Sequence, residues 1–386
     1  MKKIVKSTLI AITCLAAVLC SGCNNGAYDI YTNLAEGSFE INDSAFKLGG
    51  IIEGYEQPSH GGEPSAEGFT TRRQGYYSMS ADAVVMVSAD FTGDGETKYQ
   101  NFTKAVGTVL NAVDTALSPS YPDSDINKFN NAEAGAKVEI TQITYEVLET
   151  AKSVYGLTEG YYNPALYYNV LAYGFSTAHG YPATSADLPD DNTIAKYTEL
   201  STHFSEVELT KEDGKYYALK PAKTVEVNGE TLTLKLDLGG IGKGYAVDMI
   251  DILFDDYGYE YGNFNFGSSS MLVKTNMYEA DYSLGLASPR SPARYPYMTV
   301  KVRDVKLSTS GDNEQYYNID GTRYCHIIDA TTGKPVQTGI MTATVIGGSA
   351  AEDDALTTAI MAMGKERAAE FIQNKLNDRA VVFVCE

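Results

Sequence analysis

The chain has 386 residues, 44% of them apolar, with a formal charge of -20. That length can bury one large domain or two intertwined ones, and the acidic balance excludes a general affinity for nucleic acid or anionic lipid. Of the five cysteines three lie at Cys14, Cys20 and Cys23 and the others are Cys325 and Cys385, which is no disulfide framework, so stability must come from an ordinary core.

The first residues, Met1-Lys2-Lys3-Ile4-Val5-Lys6, precede an apolar stretch from Leu9 to Leu19 and then Cys20-Ser21-Gly22-Cys23. A basic start, a short apolar core and small residues before a cysteine describe a secretory signal, and the stretch is short for a membrane span. Residues 1–22 are expected to be a lipoprotein signal peptide, with Cys23 acylated as the mature N-terminus. The protein would then be lipid-anchored at the outer face of the bacterial cytoplasmic membrane or in the periplasm. Cys20 and Cys23 also form a C-x-x-C, but no thioredoxin-like strand-turn-helix surrounds it. Because Lys2, Lys3 and Lys6 leave with the signal, the mature chain stands near -23. A negatively charged cofactor would then need a local cation or a backbone nest.

Residues 23–75 are rich in Gly, Ser, Glu and Asn without sustained periodicity, and read as a tether between lipid and fold. The folded domain is expected over 76–386. A β-branched apolar run from Ala83 to Phe91 reads as a strand. Phe102, Val106, Val109, Leu110, Val113 and Leu117 recur at helical spacing, as do Ile143, Val147, Leu148, Ala151 and Val154. Asp213-Gly214, Asn228-Gly229 and Asp320-Gly321 signal hairpins. A strand at Leu232–Leu236, a glycine cluster and a helix to about residue 255 follow. The chain closes with a strand (Thr342–Ile346), two helices and a strand (Ala380–Cys385). This mixture predicts an α+β fold of mixed, largely antiparallel sheets with packed helices.

Three clusters could carry chemistry. The first, Leu236-Asp237-Leu238-Gly239-Gly240-Ile241-Gly242-Lys243-Gly244-Tyr245-Ala246-Val247-Asp248, sets glycines between a strand and a helix, where backbone N–H groups can approach a phosphate and Lys243 supplies a cation. It is neither a P-loop nor a dinucleotide fingerprint, and a tight turn packing helix on sheet explains the glycines equally well. In the second, Ser349 and Glu352 form a capping box. Asp354 and Thr358 then stack at i and i+4 on one helix face and could hold a hard cation such as Mg2+. The alternative is that the acidic run only favours the helix N-terminus. In the third, His326 sits in an apolar strand near Asp329, either a base oriented by that carboxylate or a core histidine.

In chain order these clusters resemble the signature runs of the FAD:protein FMN transferases of ApbE type: D-L-G-G-I-A-K-G-Y-A-x-D, T-S-G, H-I-I-D-P-x-T-G-x-P and A-D-A-L-A-T-A. Upstream, Leu117-Ser118 through Tyr121-Pro122-Asp123-Ser124-Asp125-Ile126 to Asn130 is similar to a serine-rich run ending in Asn, and Gly160-Tyr161-Tyr162-Asn163-Pro164-Ala165 to G-x-F-D-P-T. The likeness spans roughly residues 76–386. It implies an ApbE-like domain that binds Mg2+ through Asp354, Thr358 and the Gly242 carbonyl, where the family usually has Ala. It implies FAD as substrate, bound along Gly239, Gly240, Lys243, Asp248 and Ser310, with His326 at the reaction centre. The implied reaction is Mg2+-dependent transfer of FMN from FAD to a Thr or Ser hydroxyl of an exported acceptor protein, releasing AMP. FAD pyrophosphatase action and non-catalytic flavin binding are the alternatives. Departures from the family pattern are Asn163 and Ala165 for Asp and Thr, Ala330 for Pro, Gly267-Ser268-Ser269 for Gly-Gly-Asn or Gly-Gly-Asp, and Met79-Ser80-Ala81 for Met-Gly-Thr.

Overall fold

The computed structural model describes residues 29–35, 38–41, 69–175, 180–275, 281–291 and 296–386. Strands β1 (Asp29–Thr32) and β2 (Phe39–Ile41) precede the hairpin β3 (Phe69–Ser78) and β4 (Ala81–Asp90). Helices α1 (Gly95–Leu117) and α2 (Asp125–Asn131), strand β5 (Lys137–Ile140), and helices α3 (Gln142–Leu157), α4 (Tyr167–Ala172) and α5 (Asp191–Ser201) follow. Short strands β6 (Glu208–Glu212), β7 (Lys215–Leu219), β8 (Thr224–Val227) and β9 (Glu230–Thr233) lead to α6 (Gly242–Asp256). Next come β10 (Gly262–Phe266), β11 (Ser270–Val273), β12 (Tyr282–Ala287), β13 (Pro296–Val302), β14 (Val305–Gly311), β15 (Tyr316–Ile319), β16 (Thr322–Cys325) and β17 (Ile340–Ile346). Helices α7 (Ala350–Met363) and α8 (Lys365–Lys375) and strand β18 (Ala380–Cys385) complete the chain.

The fold is α+β, and its centre is an eight-stranded antiparallel sheet in the order β1-β18-β17-β14-β11-β10-β4-β3. Alternation along the strands supplies two cores, because successive side chains point to opposite faces. Val381 and Phe383 of β18 join Ala343 and Val345 of β17 in the larger core, with Phe102 and Val106 of α1, Val147 of α3, Ile250 of α6 and Ala355 of α7. Val382 and Val384 face the other way, with Met341 and Ile346, and meet Tyr297, Met298 and Val300 of the small sheet β12-β13-β2. All seven residues of β17 are buried because both faces are covered.

The expected helices and hairpins are present. Asp213 and Gly214, Asn228 and Gly229, and Asp320 and Gly321 all have positive φ, the two-residue turn whose twist suits a tight hairpin. Two expectations need correction. Residues 29–32 and 39–41, assigned to a tether over 23–75, are strands: β1 pairs with β18 and β2 with β13, and β3 already begins at Phe69. These segments pair with the C-terminal part of the chain, a partner that local composition does not reveal. The strand expected at Leu232–Leu236 stops at Thr233, because a side chain, not a neighbouring strand, takes up the Leu236 backbone: Leu236 N–H donates to Asn130 Oδ1 (2.7 Å) and its carbonyl accepts from Asn130 Nδ2 (2.9 Å). The expected signal peptide over residues 1–22 and Cys23 lie outside the described residues.

Candidate functional site

The site forms where loops from both halves of the chain meet above α6 and α7. Asn130 fixes one side through its two bonds to Leu236, and its own helix end is held from below. Lys220, fully buried, donates to the carbonyls of Phe129 (2.9 Å), Asn130 (3.2 Å) and Ala132 (2.8 Å). These are the carbonyls that a helix C-terminus leaves without partners. Burial, with a smaller push from Lys235, lowers the Lys220 ammonium to about 8. The residues after Leu236 are thereby held in place. Asp237 N–H donates to the Pro164 carbonyl (2.8 Å), and Asp237 Oδ1 accepts from Gly239 N–H (2.8 Å).

The two explanations of the glycine cluster prove to be divided among its members. Gly244 serves packing: a Cβ there would lie 2.1 Å from the Ala350 carbonyl oxygen, so α6 and α7 approach backbone to backbone. Gly239, Gly240 and Gly242 line a cavity of about 470 Å3, within the range of ordinary ligand sites. Gly240 is wedged beside Thr358, whose Oγ1 would be 3.3 Å from a Cβ at that position. Lys243 lines the same cavity and reaches back to the Gly239 carbonyl (3.2 Å).

Helix α7 presents Asp354 and Thr358 to this cavity. Ser349 caps it by accepting from Glu352 N–H (3.4 Å), while the Glu352 carboxylate pairs with Arg379 instead of folding back to complete the box. Asp248 also holds the helix N-terminus. Its Oδ2 accepts from Ser349 Oγ (2.7 Å) and Ala351 N–H (3.0 Å), and its Oδ1 from Ala350 N–H (2.9 Å), with Lys306 Nζ also 2.8 Å from Oδ1. Asp248, expected along the flavin site, is therefore not among the cavity-lining residues. It is spent on the α7 N–H groups, which attract a carboxylate for the same reason that they would attract a phosphate.

Asp354 is almost fully buried, and its Oδ2 accepts from Gly244 N–H (3.1 Å). Burial raises its pKa, while Lys243 and that N–H pull it down. Asp237 behaves alike: burial raises it, and the Gly239 N–H and Lys243 oppose. Two desolvated carboxylates facing one cavity favour a cation between them. Among the described residues no three His, Cys, Asp or Glu side chains converge as a metal cluster. A cation here would therefore draw on Asp354, the Thr358 hydroxyl and main-chain oxygen such as the Gly242 carbonyl, a hard donor set. Ser310, on β14, lines the cavity and bonds the Thr357 hydroxyl at 2.8 Å and that of Thr358 at 3.5 Å.

His326 completes the wall from the other side. It follows β16 and is not inside a strand, its N–H donating to the Gln315 carbonyl (3.1 Å). Burial first, then the Lys243 charge, depress its imidazole to about 4, against a backbone hydrogen bond at Gln315. Its Nδ1 is buried without a partner among the described residues. Asp329 does not orient it, because that carboxylate accepts from Thr331 N–H (2.8 Å) and the Thr332 hydroxyl (2.9 Å) in its own turn. An Asp two residues before a Thr is a strong local turn former, which outweighed its proximity in sequence to His326.

Two departures from the family pattern find explanations. Asn163 donates to the Ser201 carbonyl (3.2 Å) and accepts from Ala165 N–H (2.9 Å), a structural use that needs no charge. Ser268 adopts φ of 58°, donates its N–H to Asn265 Oδ1 (3.0 Å) and does not line the cavity, whereas Gly267 and Ser269 do. The residues that sequence reasoning missed are Lys220, Asp237 as a cavity carboxylate, and Asp114. The last accepts from Met79 N–H (3.0 Å) and so pins the β3–β4 turn against the cavity.

Comparison with known proteins points to one family. The ApbE family model matches residues 79–383. The FAD:protein FMN transferase of Vibrio cholerae is 27% identical over 267 residues, 68% of this chain and 73% of that protein. The protein of the same name from Treponema pallidum is 26% identical over 282 residues, 69% and 73% respectively. Of solved structures, the flavin transferase ApbE from Vibrio cholerae superposes with a TM-score of 0.64 at 23% identity, over 82% of this chain and 94% of that one. The ApbE protein from Thermotoga maritima gives 0.66 at 22% identity, over 81% and 94%. With the family match running from the β3–β4 turn to the last strand, and four separate motif runs meeting in one cavity, the chain belongs to the ApbE family.

Proposed function

We propose that the protein is an exported FAD:protein FMN transferase, anchored through lipid on Cys23, that moves FMN from FAD to a Thr or Ser hydroxyl of an exported acceptor protein. The observation that carries this reading is the convergence, in one cavity, of glycine backbone, Lys243, the Asp354–Thr358 pair and His326. The acceptor oxygen forms a bond to the FMN phosphorus, the phosphoanhydride bond breaks, and AMP leaves with the electron pair. Lys243 lines the cavity, where its charge can offset negative charge gathering on the phosphate oxygens. His326, unprotonated at neutral pH, accepts the proton of the attacking hydroxyl. The incoming diphosphate opposes the Lys243 charge and so makes that nitrogen more basic at the moment it is used. Asp354, Thr358 and the Gly242 carbonyl are the groups proposed to hold Mg2+, which when bound supplies charge neutralisation at the diphosphate.

Incubation with FAD and Mg2+, with and without an acceptor domain, tests the proposal. AMP together with flavinylated acceptor is the expected result. AMP with free FMN in both arms makes the protein a pyrophosphatase, and unchanged bound FAD makes it a flavin carrier.

A further inference from the structure

An ion pair lies behind the cavity wall that carries His326. Arg290, in the segment that follows β12, sets its guanidinium fork on Asp312: Nη1 donates to Oδ1 at 2.6 Å and Nη2 to Oδ2 at 2.7 Å, between side chains only 10% and 13% exposed. Nη2 also donates to Glu386 Oε1 (2.9 Å), and Arg323 of β16 stands 3.5 Å from Asp312 Oδ1. Neither Arg290 nor Asp312 is among the cavity-lining residues, but Gly311 just before Asp312 and Glu314 and Gln315 just after it are. The Gln315 carbonyl in turn accepts the His326 N–H (3.1 Å). Asp312 thus ties the end of β14 to the strand that ends beside His326, and three positions separate it from the carbonyl on which His326 rests.

We propose that Arg290 is a positioning residue for the transfer step: its fork on Asp312 sets the segment between β14 and β15, and the Gln315 carbonyl of that segment sets the backbone of His326. The inference rests on the role of His326 given above and adds a group to it. A pair removed from water adds little net stability, because desolvation offsets the attraction. Its planar, two-bond geometry does fix one segment against another in a single orientation. FAD affinity is summed over the whole lining of the cavity, whereas proton transfer depends on where one imidazole stands relative to the attacking hydroxyl. Loosening the fork should therefore slow transfer while sparing binding.

Arg290→Gln removes the charge and the fork, and Arg290→Lys keeps the charge but cannot bridge both oxygens. Both are compared, full-length and with Mg2+, with the parent and His326→Ala. FAD affinity, the fraction of protein that binds FAD, the melting temperature and FMN transfer to an acceptor domain at saturating FAD are measured on each. The expected result for both Arg290 variants is near-parental FAD affinity with transfer per FAD-bound protein slower by about tenfold or more, since misplacement by about 1 Å costs up to about a hundredfold. A merely structural pair would lower the melting temperature and the FAD-binding fraction but leave transfer per FAD-bound protein at the parental rate, and that result refutes the inference. Loss of FAD affinity in step with transfer refutes it also, because the pair would then shape the FAD site as a whole. Should Arg290→Gln fail to fold, Arg290→Lys decides on the same criteria. Parental transfer by His326→Ala overturns the role of His326 and the inference with it.

Discussion

Two glycines of one motif, two residues apart, should respond oppositely to the same methyl group. At Gly244 a Cβ would lie 2.1 Å from the Ala350 oxygen, 2.5 Å from its carbon and 2.7 Å from Ala351 Cα, all backbone. Neither helix can yield by rotating a side chain, so α6 and α7 must part by about 1 Å in a close-packed interior. That separation also stretches the bond from Gly244 N–H to Asp354. Overpacking costs roughly 1–3 kcal/mol and a hydrogen bond to a charged group about 1.5–3 kcal/mol, so Gly244→Ala should destabilise by about 3 kcal/mol or more. At Gly242 the nearest atoms are Leu117 Cδ1 at 3.3 Å and Met79 Sδ at 3.7 Å, the ends of flexible side chains. Loss of glycine freedom in the unfolded chain offsets the contact, and Gly242→Ala should stay within about 1 kcal/mol of the parent. Urea denaturation of both variants, with FMN transfer measured on the same preparations, decides the matter. The melting temperature of Gly244→Ala should fall by roughly 5–10 °C and its transfer should collapse, with Gly242→Ala retaining both properties. A Gly244→Ala protein as stable as Gly242→Ala would refute the backbone contact between the helices.

His326→Ala should keep near-normal FAD affinity and lose FMN transfer by at least about a hundredfold; a folded variant transferring at the parental rate would remove His326 from the mechanism. Because the imidazole is depressed to about 4 and must be unprotonated to accept a proton, kcat/KM should hold between pH 7 and 5 and fall only as pH drops through about 4. A limb near 6.5 would mean that the ring is solvated. Ser268 pays for a left-handed backbone, φ 58°, so Ser268→Gly should stabilise by about 1 kcal/mol without changing FAD affinity, as checked by melting and flavin titration. Cys23→Ala should release the protein from membranes or block its processing, since two signals or two chains are needed for firm anchoring; a parent protein found soluble, without an acyl-linked N-terminal peptide, would end the anchoring proposal.

What the sequence made legible depended on the range of the interaction. Turns such as Asn228-Gly229 and the cap at Ser349 are set by residues within four positions of one another, and they appear as expected. Asp354 and Thr358 were legible as a pair because one helix places them. The use of Asn130 was not, since its partner Leu236 lies 106 residues away, and neither was that of Lys220, whose partners Phe129, Asn130 and Ala132 lie 91, 90 and 88 residues away. Asp248 misled because the pattern fixes that a carboxylate stands there but not which positive potential it answers, substrate or helix end. Asp329 misled for the opposite reason: a competing local turn lay two residues ahead.

The pairing of β1 with β18 sets a length scale for the protein's surroundings. Cys23 precedes Asp29, the first residue of that strand, by six positions, and a fully extended chain gains at most about 3.6 Å per residue. On the proposed anchor, the leash from bilayer to folded body is therefore about 20 Å, less than the width of the domain it holds. A tether running to residue 75 would have allowed a search volume many times larger. On that proposal the body would lie nearly against the membrane, and its substrates would be filtered by altitude: acceptors would have to present their hydroxyl within about a few nanometres of the lipid surface, and those standing farther out would have to bend down to be modified.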